Sequence, residues 1–374
     1  MTAPADVSPR PVDASPKPKA GAPAQKTRSS SPKCVSLALQ GGGAHGAFTW
    51  GVLDRFLEDD RIEIAAISGT SAGAMNAALV ADGLMRDGTD GARACLHDFW
   101  QAVSKAGQLS PIKRGPIDAY MNNWSLDHSP GYHLSDMLMR MVSPYQLNPF
   151  NYNPLRDIVA ERIDFDRVRS CDKMKVFISA TNVENGRVKV FDRSTLTVDM
   201  VMASACLPFM FQAVEIDGVP YWDGGYMGNP ALFPFYHVDA ADDIVVIQIN
   251  PIERQGAPKT AQEILNRINE ITFNGSLLKE LRAIDFVRRL LDEGKLEAQH
   301  YRRLNVHIIE NQEALKPLGA SSKLNAEWAF LTHLHDLGRQ TAATWLDRHF
   351  TDLGERSTVD LHAMFRNIGP QHNG

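Results

Sequence analysis

Two apolar segments, each followed by a glycine-rich turn and a helical pattern, restrict this chain to few folds. The first reads VSLALQGGGAHG at residues 35–46, and the second reads IEIAAISGTSAG at residues 62–73. Continuous apolar strands that alternate with helices are typical of a mainly parallel sheet with helices on both faces. The sequence therefore predicts a three-layer α/β fold with glycine turns at the carboxyl ends of its strands.

The alternation of strands and helices continues along the chain. A helix is predicted from about Ala47 to Glu58, and another follows the second glycine turn. Further strands are predicted at residues 175–181, 187–191, 214–222, 243–249 and 304–309. After Pro251 the pattern is mainly helical, with one long helix that ends near Gly294 and a last one that includes Trp328 and Trp345.

Residues 109–155 interrupt this rhythm with six prolines and many aromatic residues. A connection of this length is uncommon in a compact domain unless it has a function. We therefore expect it to form either a lid or wall of a substrate cleft, or a packed excursion on the surface.

The composition divides the chain into three parts. Residues 1–33 hold seven of the 21 prolines and no aromatic residue. Such a segment cannot bury enough apolar surface to fold, so a disordered tail is predicted. Residues 34–252 contain the glycine turns and most of the strands, and residues 253–374 form a mainly helical C-terminal region. The sequence does not predict the oligomeric state.

The net charge indicates which kinds of binding partner are expected, and the cysteines indicate the cellular compartment. The net charge of −5 argues against a dedicated nucleic-acid-binding protein. No segment approaches the roughly 18 apolar residues of a membrane-spanning helix. The tail carries six Lys and Arg against two Asp, which leaves contact with an anionic membrane surface open. Four scattered cysteines favour a reducing compartment, so we expect a cytoplasmic protein.

The first turn matches the pattern G-x-G-x-x-G through Gly41, Gly43 and Gly46. A dinucleotide-binding fold also needs an acidic residue at the end of its second strand, to hold the ribose hydroxyls. The second strand is followed instead by SGTSAG, so a nicotinamide- or flavin-dependent oxidoreductase is the weaker alternative, and no cofactor is predicted.

The second turn contains a G-x-S-x-G pattern formed by Gly69, Ser71 and Gly73. In a sharp turn between strand and helix, such a serine is held in a strained backbone conformation, with its hydroxyl exposed at the edge of the sheet. The positive end of the following helix favours negative charge nearby. We therefore interpret Ser71 as a nucleophile.

A serine hydroxyl needs a base to act as a nucleophile. Asp223 is the strongest candidate, because it ends an aromatic strand and is followed by Gly224 and Gly225, which leave its carboxyl group uncrowded. Asp-Gly-Gly alone is also an ordinary hairpin turn. A Ser–His–Asp triad stays open on chain order, since many histidines follow Asp223: His237, His300, His307, His333, His335, His349, His362 and His372. No metal site is predicted.

As an ordered set, the motifs GGGAHG, GTSAG and DGG resemble those of the patatin-like phospholipases, over roughly residues 35–250. The resemblance implies a Ser–Asp dyad that hydrolyses lipid acyl esters, with Ser71 as the nucleophile and Asp223 as the base. It implies that backbone amides of Gly41, Gly42 and Gly43 form the oxyanion hole, and that the partner is a lipid or acyl-ester substrate.

One residue departs from the family pattern. Many relatives have a cation, commonly Arg, where this chain has His45. We expect His45 to be a structural or rim residue and not a catalytic base, and at the rim a neutral imidazole would weaken attraction for a lipid head group and make it depend on pH near 6–7. A lipid-binding or scaffold protein without catalytic activity is the remaining alternative, although all the expected catalytic residue types are present.

Overall fold

A computed structural model describes the chain at residue 2 and over residues 31–366, apart from residues 111, 116, 117, 119, 122, 238, 239 and 298. For Arg140 and His237 it describes the backbone but not the side chain. The tail predicted at residues 1–33 lies almost entirely outside the described residues.

Eight strands of the described chain form one sheet. They are β1 (Lys33–Leu39), β2 (Ile62–Gly69), β3 (Lys175–Asn182), β4 (Val188–Asp192), β5 (Val214–Ile216), β6 (Val219–Asp223), β7 (Asp243–Ile247) and β8 (Asn305–Ile309). Their order is β5-β6-β3-β2-β1-β7-β8, and β4 also pairs with β3. The pairs β1–β2, β1–β7, β2–β3 and β7–β8 are parallel. The predicted mainly parallel sheet is confirmed, with antiparallel strands β4, β5 and β6 on one side.

Helices cover the sheet. They are α1 (Gly46–Leu57), α2 (Ala72–Gly107), α3 (Pro130–Met141), α4 (Pro144–Leu147), α5 (Pro154–Arg162), α6 (Phe165–Ser170), α7 (Val198–Ser204), α8 (Pro234–His237), α9 (Ala261–Asp292), α10 (Gln312–Leu315), α11 (Trp328–His349) and α12 (Leu361–Phe365). Short 3₁₀ helices include Gly43–His45 and Ala320–Leu324. α2 is interrupted at Asp87 and Gly88, whose backbone angles are not helical.

Two hydrophobic cores lie on opposite faces of the sheet, because successive side chains of a strand point to opposite sides. On β1, Leu37 and Leu39 belong to the core that also contains buried residues of α1, α2 and α11. Ala38, between them, belongs to the second core, which α9 covers through Leu277 and Leu281. The predicted three-layer arrangement is confirmed.

The C-terminal region is built into the same unit, which extends from Pro32 onward. β8 extends the sheet beyond β7, and α11 packs closely against α1. The two helices approach so closely that a side-chain carbon at Gly338 would collide with the carbonyl oxygen of Phe48. Residues after 252 therefore complete both the sheet and the core.

The proline-rich segment 109–155 contains helices α3 and α4 and the start of α5. Each of these helices has a proline in its first turn, where the missing amide hydrogen costs nothing. The side chains of Ser129, Ser143 and Asn153 precede the prolines and accept hydrogen bonds from first-turn amides. Three of the six prolines thus mark the beginnings of helices.

Candidate active site

Ser71 lies in the sharp turn between β2 and α2, and its side chain is mostly buried. Its backbone angles, φ 54° and ψ −120°, are strained for a residue with a side chain. A side-chain carbon at Gly69 would collide with the backbone of Gly73, and one at Gly73 would collide with the carbonyl oxygen of Leu39. The G-x-S-x-G spacing therefore has a steric origin in this chain.

Ser204, at the end of α7, fixes the backbone of this turn. The amide of Ser71 donates a hydrogen bond to Ser204 Oγ at 2.9 Å. The hydroxyl of Ser204 in turn donates to the carbonyl oxygen of Ser179 on β3 at 2.7 Å. The Ser71 amide is therefore engaged within the protein, and the donors for a bound oxyanion must come from elsewhere.

Asp223 ends β6 and is only 1% exposed. It lies opposite Ala180 of the antiparallel neighbour β3, and β3 runs parallel to β2, with Ile178 opposite Gly69. The end of β6 is thus brought to the same edge of the sheet as the serine turn. Chain order alone could not fix this placement, because it depends on the antiparallel pairing of β6.

The two glycines after Asp223 are required by close neighbours. A side-chain carbon at Gly224 would collide with the carbonyl oxygen of Ser179, and one at Gly225 would lie 2.5 Å from the Phe273 ring. The amide of Gly225 donates a hydrogen bond to Asp223 Oδ1 at 2.7 Å. The Asp-Gly-Gly turn therefore both fits the packed site and orients the carboxyl group.

Burial raises the pKa of Asp223 from 3.8 to about 7. Hydrogen bonds from the Gly225 amide and the Ser71 side chain, together with the charge of Lys323, act in the opposite direction and limit that rise in pKa. A carboxyl group with a pKa near 7 is suited to exchange protons at neutral pH. The structure thus places Ser71 and Asp223 in the same cleft, where the Ser71 side chain acts on the pKa of the carboxyl group.

The glycine turn after β1 packs directly on the serine turn. A side-chain carbon at Gly41 would lie 2.7 Å from the Cβ of Ser71, and one at Gly46 would lie 2.6 Å from the Cβ of Ala72. Gly43 has a φ of +57°, a conformation that favours glycine. The turn predicted to border either a cofactor or a reacting ester therefore borders the serine.

The three predicted oxyanion donors are not equivalent. The Gly41 amide donates to Asn229 Oδ1 at 2.6 Å, so it is not available to a ligand. No acceptor within the described part of the chain takes the amide hydrogens of Gly42 and Gly43, and both residues line the cleft that contains Ser71. The prediction that the Gly41 amide is an oxyanion donor is therefore wrong, because that amide already donates its hydrogen bond to Asn229.

His45 lies inside the protein, not at the rim. It is 3% exposed, and its Nε2 is 2.8 Å from the hydroxyl oxygen of Ser322. Burial, helped by the charge of Lys323, lowers its pKa to about 3. His45 is therefore neutral near pH 6–7, and the pH dependence expected for a rim position does not arise.

The serine and the aspartate open into a cleft of about 390 Å³. Its walls are mostly apolar: Ala72, Met75, Phe99, Trp100, Val103, Leu155, Leu207, Met210, Phe211, Phe273 and Leu324. Tyr132 of α3 and Leu155 of α5 bring residues 109–155 to the cleft, so this segment supplies part of its wall. No histidine side chain that the structure describes lines the cleft, while the His237 side chain and His372 lie outside the described part.

Several residues of the site carry no motif by which they could be recognised in the sequence. Asn229 holds the glycine turn and Ser204 holds the serine turn, each from a distant part of the chain. Lys323, in the 3₁₀ helix after α10, supplies a cation to the cleft wall. The short spacing between Asp223 and Asn229 is the one signal that could have pointed to Asn229.

Neither a metal site nor a membrane-spanning segment is found in the part of the chain that the structure describes. No group of three or more His, Cys, Asp and Glu side chains there is arranged to hold a metal ion. None of the described helices combines the length and the apolar character needed to cross a membrane.

Residues 37–239 match a family model described as patatin-like phospholipase. Comparison with curated protein sequences gave no match.

Among solved structures, VipD from Legionella pneumophila is 16% identical over 85% of this chain and 67% of VipD, with a TM-score of 0.41. ExoU from Pseudomonas aeruginosa, solved as a heterodimeric complex with SpcU, is 15% identical over 86% of this chain and 53% of ExoU, with a TM-score of 0.36. This chain thus spans little more than half the length of ExoU, and likenesses at this level say nothing about its substrate.

Proposed function

The chain belongs to the patatin-like phospholipase family, and on that premise we propose that it is a serine hydrolase that cleaves carboxylic esters of lipids. Family membership implies lipid acyl hydrolysis, and the mechanism below is our proposal. The observation that supports it most strongly is that Ser71 and the buried Asp223 line the same apolar cleft, where the Ser71 side chain limits the rise in the pKa of Asp223.

In the first step, the Ser71 hydroxyl attacks the ester carbonyl and its proton passes to Asp223. The tetrahedral oxyanion is held by the amides of Gly42 and Gly43, which have no other acceptor among the described residues. Two donors that are already in place stabilise the oxyanion without reorganisation, and each is typically worth about 3 kcal/mol of barrier. Asp223 returns the proton to the alcohol, which leaves, and an acyl-serine ester remains.

In the second step, water replaces the alcohol. Asp223 takes a proton from the water as it attacks the acyl-serine carbonyl, and the same two amides hold the second oxyanion. Collapse of this intermediate breaks the bond to Ser71 Oγ, which recovers its proton from Asp223. The products are a carboxylic acid and the free enzyme, and one water is consumed in each cycle.

The lining of the cleft supports a long apolar acyl group as the part of the substrate that is buried. Phe99, Trp100, Met75 and Phe211 offer an apolar wall beside the serine. We propose that residues 34–252 supply the reacting groups, and that residues 253–374 close the cleft through Phe273, Lys323 and Leu324.

We further propose that the enzyme works at a lipid surface from the cytoplasm. Leu134, Met137, Leu138 and Met141 recur at the spacing of one helix face on α3, and all four are exposed. Phe150, in the segment after α3, is 94% exposed, and Phe209, next to the cleft residue Met210 in the chain, is 67% exposed. Large apolar side chains that cluster on a surface are typical of interaction sites.

We call these six exposed side chains the apolar rim, and the segment that follows α3 contacts a loop of the cleft wall. The Tyr145 hydroxyl accepts a hydrogen bond from the Ala213 amide, and the Gln212 side chain donates to the Asn148 carbonyl oxygen. These contacts join the segment after α3 to the loop that holds Met210 and Phe211 of the cleft wall. A cytoplasmic location is supported by the four cysteines, all free thiols.

The proposal is tested by hydrolysis of phospholipid vesicles, with identification of the released fatty acid and lysophospholipid by mass spectrometry. Wild type should release both, whereas Ser71→Ala and Asp223→Asn should lose nearly all activity. The matched controls Ser194→Ala and Asp172→Asn change exposed residues away from the cleft and should keep wild-type rates. Wild-type turnover by folded Ser71→Ala would refute the assignment.

A further inference from the structure

A lysine from the C-terminal region reaches the active site. Lys323 lies beyond residues 37–239, which match the family model, and its side chain lines the same cleft as Ser71 and Asp223. Its ammonium group donates a hydrogen bond to Asn250 Oδ1 at 2.8 Å. The ammonium is therefore held in a defined position in the cleft wall.

Asn250 connects this lysine to the glycine turn. The side-chain amide of Asn250 donates to the carbonyl oxygen of Gly41 at 2.8 Å and to Gln40 Oε1 at 3.2 Å. The backbone of Lys323 packs against the same turn, because a side-chain carbon at Gly43 would collide with its carbonyl oxygen. Both the side chain and the backbone of Lys323 are thus fixed relative to the oxyanion donors.

On its other side, Lys323 approaches the Asp-Gly-Gly turn. Its ammonium lies 5.2 Å from the centre of the Phe273 ring, a distance typical of a cation–π contact. The same ring packs against Gly225, whose amide holds the Asp223 carboxyl group. Lys323 therefore lies between the two turns that form the site.

Among the described charged groups around the site, Lys323 is the cation that can stabilise the ionised form of Asp223. The other nearby carboxylate, Glu270, is already paired with Arg254 at 2.8 Å and with Arg267 at 3.1 Å. His45, Tyr226 and Cys206 are neutral near pH 7, because burial lowers the pKa of His45 to about 3 and raises that of Tyr226 and of Cys206 to about 12. Among the described residues, Lys323 is the cation whose charge acts on Asp223.

We propose that Lys323 is a positioning residue of the active site, whose fixed ammonium stabilises the ionised Asp223 that must accept the serine proton. This inference rests on the proposed function and extends it to a residue outside the matched segment. Lys323 lines the same cleft as Gly42 and Gly43, whose amides hold the negative charge that develops during the reaction.

If Lys323 stabilises the ionised Asp223, it should affect how kcat/KM depends on pH. Activity needs Asp223 ionised, and its pKa is about 7, so the acidic limb of the profile lies there. Burial lowers the pKa of Lys323 to about 8, while the charges of Glu270 and Asp223 limit that fall, so an alkaline limb follows as the ammonium loses its proton. The wild-type profile should therefore be a narrow bell.

The experiment measures kcat/KM against pH for a soluble p-nitrophenyl ester, with Lys323→Met, Lys323→Arg and Lys105→Met. Lys323→Met should move the acidic limb upward by about one pH unit and lose the alkaline limb. Lys323→Arg should keep the acidic limb and move the alkaline limb beyond pH 9, because arginine stays protonated. Lys105→Met changes an exposed lysine on α2 and should match wild type.

If Lys323→Met lowers kcat/KM equally at every pH, the lysine has only a structural role and the proposal is refuted. Should Lys323→Met fail to fold, Asn250→Ala, which removes the anchor of the ammonium, must shift the acidic limb upward, and an unshifted limb would again refute the proposal. Failure of the proposed function is distinguishable, because Ser71→Ala would then retain wild-type turnover.

Discussion

Ser71 and the buried Asp223 line the same cleft, although the two residues lie more than 150 positions apart in the chain. Two different strand pairings bring the two residues to the same edge of the sheet, the parallel pair β2–β3 and the antiparallel pair β3–β6. Because Asp223 is buried, its pKa rises to about 7, and the same burial that serves catalysis acts against stability when the carboxyl group is charged.

The wild-type rate should follow the ionisation of Asp223. The base must be deprotonated to accept the serine proton, and its pKa is about 7, so kcat/KM should fall about tenfold for each pH unit well below that value. Initial rates on a soluble ester between pH 5 and 8 measure this limb. An acidic limb near pH 4, the range of an ordinary carboxyl group, would contradict the account.

Replacing Asp223 by Asn should stabilise the protein at alkaline pH while it removes activity. A carboxyl group whose folded-state pKa is raised favours folding fully below its ordinary value of 3.8, and this contribution is lost as the pH rises through about 7. The loss amounts to at most about 4 kcal/mol, and a neutral amide does not undergo it.

Denaturant unfolding of wild type and Asp223→Asn at pH 4 and pH 8 measures the effect. The difference in the free energy of unfolding should move in favour of Asp223→Asn at pH 8. The exposed control Asp172→Asn should show no such change. If the free energies of unfolding of the two proteins differed equally at pH 4 and pH 8, the pKa of Asp223 would not be raised by burial.

The motifs predicted the reacting groups because steric demands link them to short, local patterns. Gly69 and Gly73 are required because a side chain at either position would collide with the backbone around Ser71. Gly224 and Gly225 are required because a side chain there would collide with neighbours of Asp223. The different roles of Gly41, Gly42 and Gly43 could not be predicted from such local patterns. Those roles depend on Asn229, because its side-chain oxygen accepts the hydrogen bond of the Gly41 amide.

Ser204→Ala should lower kcat more than it raises KM. The substitution removes the acceptor of the Ser71 amide and the donor to the Ser179 carbonyl oxygen, and leaves both groups buried without that partner. We expect a loss of about 2 kcal/mol in the free energy of unfolding, together with a misplaced nucleophile.

Steady-state kinetics on a soluble ester and denaturant unfolding of Ser204→Ala measure both effects. Ser194→Ala, at an exposed position, is the matched control. Unchanged kcat in Ser204→Ala would show that the strained turn at Ser71 keeps its conformation without the hydrogen bond from the Ser71 amide to Ser204.

The apolar rim should govern binding to membranes independently of catalysis. The combined change Leu134→Ser, Met137→Ser and Met141→Ser, made in the inactive Ser71→Ala protein, removes three exposed apolar side chains from one face of α3. Each such side chain contributes about 1.5 kcal/mol or more when fully buried, so we expect at least about tenfold weaker binding.

Flotation with vesicles of phosphatidylcholine and phosphatidylglycerol measures this binding. Phe286→Ser in the same background is the control, because Phe286 is 54% exposed on α9 and does not line the cleft. Made in the active protein, the three changes should leave turnover of a soluble ester intact. Equal flotation of the rim variant and the control would exclude the rim as the lipid contact.

The C-terminal part of the site could not be predicted from local patterns. Lys323 lies in a short 3₁₀ helix with no motif, and its place in the cleft comes from contacts with Gly43, Asn250 and Phe273, each at least 50 positions away. For residues 109–155 the sequence predicted either a lid or wall of a cleft or a packed surface excursion, but not that Pro130, Pro144 and Pro154 begin helices. In both places, tertiary packing gives ordinary residues a role that the sequence alone does not indicate.

The central claim, that Ser71 is a nucleophile activated within this cleft, is tested most directly by a fluorophosphonate probe. Intact-mass and peptide mass spectrometry should find one probe adduct on the peptide that contains Ser71 in wild type, and no adduct in Ser71→Ala. An adduct on another residue, or labelling that persists in folded Ser71→Ala, would contradict the account.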